Sequence, residues 1–111
     1  MKGEQGMIPL IIPSYEPDER LLQLLNTLRD YPFGPVLLVN DGSGPAYQTF
    51  FDRAKELLQE KLILLSHEVN LGKGRALKTA FAYVLEHFPD AAGCVTADSD
   101  GQHSAAAIEG I

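Results

Sequence analysis

The sequence predicts an α/β fold, a doubly wound three-layer arrangement with a mostly parallel four-stranded sheet and helices on both faces. Two observations carry this. Four short apolar runs, at residues 8–12, 36–39, 62–65 and 93–97, recur along the chain, and helical patterns separate them. The first three runs are apolar throughout and do not alternate, which is how strands covered on both faces read. Strands alternating with helices predict a parallel sheet joined by right-handed crossovers. In such a sheet ligands bind beyond the carboxyl ends of the strands, where strand order reverses. The residues just after each run are therefore the candidates for function.

Residues 1–7 read as an N-terminal tail and 8–111 as one domain. The first run contains Pro9, is followed at once by Pro13, and leads to Asp18 and Glu19, acidic residues that suit a helix start. Leu21, Leu22, Leu25 and Leu28 then fall on one helical stripe. Tyr47, Phe50, Phe51, Ala54, Leu57 and Leu58 form a second stripe, and Ala76, Ala80, Phe81, Val84, Leu85 and Phe88 a third, ended by Pro89. All three are expected to pack as core. Ser104 would cap a fourth helix that stops after about two turns. The chain therefore reads as truncated at its C-terminus, with an exposed sheet edge inviting self-association.

Composition narrows the function classes. Of 111 residues, 45% are apolar and 22% charged, which fits an ordinary globular domain and excludes a disordered chain. The 9 basic and 15 acidic residues give a net charge of -6, unsuited to general nucleic-acid binding, which relies on Lys and Arg neutralising phosphates. The single cysteine, Cys94, lies in an apolar stretch and reads as a buried core thiol. The N-terminus has no long apolar stretch, so neither a signal peptide nor a membrane span is expected there, and a cytoplasmic location is the default expectation.

Four loops follow the four runs. In the first, Pro13 and Pro17 restrict the backbone; Tyr15 can stack on a base and Glu16 can accept hydrogen bonds from a base or ribose. A plain strand-to-helix turn capped by Asp18 is the competing reading. In the second, Asp41 stands at the strand end, where a carboxylate can accept the N–H of a base, or simply form an Asx turn. In the third, Gly72-Lys73-Gly74-Arg75 with Lys78 places cations at a helix N-terminus, against the dipole. An anion bound there would relieve that, and the glycines would let backbone amides approach a phosphate. A solvated basic helix start is the alternative, and the spacing of a P-loop is absent.

The fourth loop reads Asp98-Ser99-Asp100-Gly101-Gln102-His103. Two carboxylates two residues apart repel each other, and a divalent cation such as Mg²⁺ or Mn²⁺ relieves that repulsion, with phosphates and water completing its shell. His103 is read as a hydrogen-bonding loop residue in preference to a further ligand. An EF-hand is excluded because His103 stands where that loop requires glycine.

Taken together, the segments IIPSYEPDERL, LLVNDGSG, NLGKGRALKTAF and TADSDGQH resemble the family 2 glycosyltransferases, inverting enzymes with a GT-A (Rossmann-like) fold. They occur in the family's order and span residues 8 to 103. The DSDGQH form is most similar to the branch containing polyprenyl-phosphate mannosyl- and glucosyltransferases. The resemblance implies that Pro13, Tyr15 and Glu16 belong to the first nucleotide-contacting loop, that Asp41 reads the base, and that Gly72 and Lys73 lie beside base and diphosphate. It implies that Asp98 sits nearer the ribose and that Asp100 is the principal metal ligand of a D-x-D pair. It also implies a UDP- or GDP-linked sugar donor, an acceptor such as a polyprenyl phosphate or a saccharide, and membrane association of a longer protein. The family's usual Tyr-Asn-Glu is shortened here: Tyr15 is followed directly by Glu16, one position early. The catalytic base of the family lies well after the D-x-D loop, so no catalytic residue is assigned up to Ile111. This chain would supply the donor-binding half and be inactive by itself.

Three further classes fit the sequence less well. A nucleotidyltransferase that makes sugar nucleotides usually opens with a glycine-rich loop after strand one, where this chain has Pro13-Ser14-Tyr15-Glu16. A non-catalytic module with the same fold would not be expected to keep plausible chemistry in all four loops. A dehalogenase-type phosphatase would need its D-x-D after the first strand.

Overall fold

The computed structural model describes residues 7–30, 34–91 and 93–97. Four strands, β1 (Met7–Ser14), β2 (Gly34–Asp41), β3 (Leu62–His67) and β4 (Val95–Thr96), form one sheet in the order β3-β2-β1-β4. All three strand pairings are parallel. Three helices, α1 (Glu19–Leu28), α2 (Gln48–Leu58) and α3 (Lys73–His87), connect them. The predicted α/β class and the four strands are therefore present, with β1 and β2 extending beyond their apolar runs at both ends.

The alternation of side chains along β1 and β2 makes two cores. Leu10, Ile12, Val36 and Leu38 face one side, where they meet Leu21, Leu25 and Leu28 of α1 and Phe51, Ala54 and Leu58 of α2. Ile11, Leu37 and Val39 face the other side and meet Ala76, Ala80 and Val84 of α3. These β1 and β2 residues are essentially inaccessible to water, as the uniformly apolar runs predict for strands covered on both faces. At roughly 1.5–3 kcal/mol per fully buried Leu, Ile, Val or Phe, they dominate the stabilisation. β3, at the edge of the sheet, is only partly buried.

The helix assignments differ in how much of each stripe is buried. The α1 stripe is buried throughout, and Leu24 joins it. Asp18 caps α1, its carboxylate accepting the Arg20 N–H at 2.9 Å, while Lys61 Nζ donates to the Leu28 carbonyl at 2.9 Å beyond the far end. The third stripe is narrower than expected. Ala76, Ala80 and Val84 are buried at four-residue spacing, but Phe81 and Leu85 are exposed, Leu85 by 75%. Each lies one residue further on, about 100° around the helix, and a single sheet face covers only the one row. Cys94 is partly buried against the α3 core, and that burial raises its thiol above the ordinary value.

Strand order fixes where a ligand can sit. The chain steps outward from β1 to β2 to β3 with α1 and α2 on one face, then returns across the other face through α3 to place β4 on the far side of β1. Order reverses at β1, so the crevice falls beyond its carboxyl end, between the oppositely placed connections.

Candidate functional site

A cleft of about 590 Å³ opens at that carboxyl edge, within the ordinary range for small-molecule sites. Its walls come from three chain segments. The β1–α1 connection contributes Pro13, Ser14, Tyr15, Glu16, Pro17 and Asp18; the end of β2 contributes Asp41; the β3–α3 connection contributes Asn70, Gly72 and Lys73. Arg20, from the first turn of α1, completes the rim. The six candidates Pro13, Tyr15, Glu16, Asp41, Gly72 and Lys73 thus share one cavity although 60 positions separate the first from the last.

Asp41 is the hub. Its side chain is buried, and both oxygens accept protein hydrogen bonds. Oδ1 accepts the Leu71 N–H at 3.0 Å and faces His67 Nδ1 at 2.8 Å. Oδ2 accepts the Gly72 N–H at 3.0 Å and the Asn70 side-chain amide at 3.1 Å. Burial by itself would raise this carboxyl, but the bonds from the His67 ring and from the Leu71 and Gly72 amides outweigh it and hold the group below the usual carboxylate value. The Asn70 amide also donates to the Asp41 carbonyl at 3.2 Å. Next to this hub, Gly42 has φ +72°, and a Cβ there would overlap the backbone of Val69 and Asn70. Glycine is required both for the left-handed conformation and for the close approach of the two loops. Gly72, the residue before α3, has φ +99° and takes the same freedom to turn the chain into the helix.

The first loop is fixed differently. Glu16 N–H donates to Ser43 Oγ at 2.9 Å, and Ser43 N–H donates to Asn40 Oδ1 at 3.0 Å. Glu16 has φ +52°, a left-handed backbone that asparagine tolerates far better than glutamate. Tyr15 is half exposed at the cleft, and the Glu16 carboxylate, hydrogen-bonded to its phenol and negatively charged beside it, raises that hydroxyl above its usual value.

Three residues of the cleft and its support carry no prediction from the sequence. Ser14 lines the cleft at the end of β1; its hydroxyl is buried and has no hydrogen-bond partner among the described residues. His67 ends β3, and Asn70 begins the turn that Asp41 holds. Ser14 and His67 carry a positional signal, each a polar residue at the end of a strand, whereas Asn70 lies three residues beyond β3. Asp98, Asp100 and His103 lie outside the described residues, as does the expected helix from Ser104. The described chain reaches Ala97, whose N–H bonds the Ile11 carbonyl at 3.0 Å, so the sequence leads into Asp98 from the strand directly beside β1. Among the described residues no group of three or more His, Cys, Asp or Glu is arranged to hold a metal ion. None of the described helices is long and apolar enough to cross a membrane.

A three-layer parallel sheet with a polar cleft at its switch point defines an α/β domain of the doubly wound class. The chain belongs to glycosyl transferase family 2, whose sequence model matches residues 10–111. It is 31% identical, over 88% of its length, to a UDP-N-acetylglucosamine–dolichyl-phosphate N-acetylglucosaminyltransferase of Methanococcus voltae. The fold is similar to the crystal structure of S. aureus TarS 1-349, a GT-A structure, with a TM-score of 0.63, 25% identity and 85% of this chain covered. The chain spans 43% of the first of these proteins and 27% of the second. Family membership sets aside the nucleotidyltransferase alternative.

Proposed function

We propose that the cleft binds the nucleoside diphosphate of a sugar donor and that the chain is the donor-binding part of a glycosyltransferase. The observation that carries this reading is the convergence of Tyr15, Glu16, Asp41, Gly72 and Lys73 on one cleft at the carboxyl edge of the sheet. The surrounding groups suit a nucleotide. Tyr15 offers an exposed ring for stacking on a base, Pro13 and Glu16 shape the pocket around it, and Lys73 with the Gly72 backbone stands at the start of α3, where anions are favoured. In this reading a base N–H reaches Asp41 Oδ2 by displacing the Asn70 amide, which belongs to an exposed residue and is the most easily exchanged of the four donors.

Asp98 and Asp100 are the residues that would hold Mg²⁺ or Mn²⁺ in this reading, Asp100 as principal ligand and Asp98 nearer the ribose. The fit rests on the donor set: two carboxylates suit a hard divalent ion, whereas Asp41 already has its oxygens filled by protein donors. Such an ion, when bound, stabilises negative charge on the departing diphosphate. The similarity to a transferase named for UDP-N-acetylglucosamine and dolichyl phosphate supports UDP as the nucleotide and a polyprenyl phosphate as the acceptor class. An acceptor of that kind would bring the complete enzyme to a membrane surface.

Calorimetric titration of this chain with UDP, GDP and their sugars, with and without Mn²⁺, tests the reading. UDP binding that tightens at least tenfold with Mn²⁺ and is weakened by Asp100→Ala is the expected result. Absence of binding by every nucleotide, with Asp100→Ala indistinguishable from the parent chain, would remove the proposal.

A further inference from the structure

We infer that His67 is a positioning residue for the donor cleft, acting through Asp41 to hold the turn at residues 70–72 in the conformation that a nucleotide meets. The inference rests on the nucleotide reading of the cleft and adds a component outside its walls, since His67 does not line the cavity.

The geometry is a chain of contacts running from α3 through β3 and β2 to the turn. His67 Nε2 lies 2.8 Å from Thr79 Oγ1 on α3, and His67 Nδ1 lies 2.8 Å from Asp41 Oδ1. An ionised carboxylate only accepts hydrogen bonds, so the proton in the second contact sits on Nδ1. Both ring nitrogens are occupied, and the imidazole plane is fixed between two secondary-structure elements. The ring in turn fixes the rotation of the Asp41 carboxylate, whose oxygens aim at the Leu71 and Gly72 amides. Rotating that carboxylate would strain both bonds at once, because each oxygen serves a different amide. Lys73, the first residue of α3 and part of the cleft, follows Gly72 directly. Donor loss at His67 is thereby expected to reach the cleft with no direct contact between the ring and the ligand.

Two variants separate the ring's donor from its bulk. His67→Phe keeps a flat ring of similar size but lacks the Nδ1–H. His67→Asn keeps a side-chain N–H in about the place of Nδ1. Thr79→Val, which removes only the outer partner, serves if His67→Phe fails to fold. The measurements are UDP and GDP affinity with Mn²⁺ present, and hydrogen exchange of the Leu71 and Gly72 amides with those of Ala80 and Val84 as internal controls. For His67→Phe, affinity is expected to fall about tenfold and Leu71 and Gly72 to exchange at least about tenfold faster, with the controls unchanged. His67→Asn is expected to recover both to within about threefold, and Thr79→Val to show a smaller loss of the same kind. Unchanged exchange at Leu71 and Gly72 in His67→Phe overturns the inference, as does equal impairment in the Asn and Phe variants. If the parent chain binds neither nucleotide, the functional reading of the cleft falls, and the exchange measurement alone decides whether His67 holds the turn.

Discussion

The two loops that face each other across the cleft are held by opposite means. The β1–α1 loop, from Tyr15 to Asp18, is restricted mainly by its own covalent structure: Pro13 before it and Pro17 within it limit its backbone, Asp18 caps the helix that follows, and the Glu16 N–H, donated to Ser43 Oγ, ties it to the β2 loop. The β3–α3 loop contains no proline. Its turn at residues 70–72 is held by one buried carboxylate 30 positions earlier in the chain, which accepts from Asn70, Leu71 and Gly72 together and is braced by His67. A loop built on local restraint survives the loss of any one contact. A loop built on a single hub does not, because every bond shares the same acceptor.

Removing the hub should therefore be the most damaging change. Asp41→Ala removes the acceptor shared by Leu71, Gly72, Asn70 and His67, four hydrogen bonds to one charged group, and about 3–5 kcal/mol of stability is expected to disappear in urea denaturation. The same hub predicts a pH dependence. Its folded carboxyl titrates below the unfolded value of about 3.9, so its contribution is fully present above that pH and is lost as pH falls through the folded value. An Asp41→Asn chain should therefore lose less stability than the parent between about pH 5 and pH 2. Equal acid sensitivity of the two would show that the carboxylate is not the group holding the loop.

Gly42→Ala comes next. It attacks the same loop from the β2 side, through an unfavourable positive φ and overlap with the Val69 and Asn70 backbone. A loss of about 2–3 kcal/mol is expected, read as a lowered melting temperature. In the β1–α1 loop the corresponding change is milder. Ser43→Ala removes the acceptor for the Glu16 N–H and is expected to cost about 1 kcal/mol. If Ser43→Ala proves as damaging as Asp41→Ala, the contrast between the loops fails. The smallest effect has the opposite sign: Glu16→Asn relieves the left-handed backbone at an exposed position and should raise stability by about 0.5–1 kcal/mol in the same denaturation assay.

The contrast between the loops also accounts for what could be read from the sequence. The four strands, the α1 and α2 stripes and the cap at Asp18 follow from short-range patterns, because apolar periodicity and capping act within a few residues. Pro13, Tyr15, Glu16, Asp41, Gly72 and Lys73 could be nominated as cleft residues because each follows an apolar run, and a parallel sheet brings all such positions to one edge. The exposure of Phe81 and Leu85 could not be read, since how far around α3 the sheet reaches depends on the packing of Ala76 and Ala80 against Ile11, Leu37 and Val39.

By itself, then, the sequence determined the layered α/β architecture, the edge at which the cleft opens and the family to which its loops belong, all of which depend on local periodicity and order along the chain. Only the tertiary structure decided that Asp41 spends its carboxylate on the opposite loop, that His67 braces it, and that the Ser14 hydroxyl is buried with no partner among the described residues. Those are properties of hydrogen bonds between segments 26 to 31 residues apart, and of a hydroxyl's surroundings. No local pattern encodes them, because a donor and an acceptor find each other only after the sheet has set their distance.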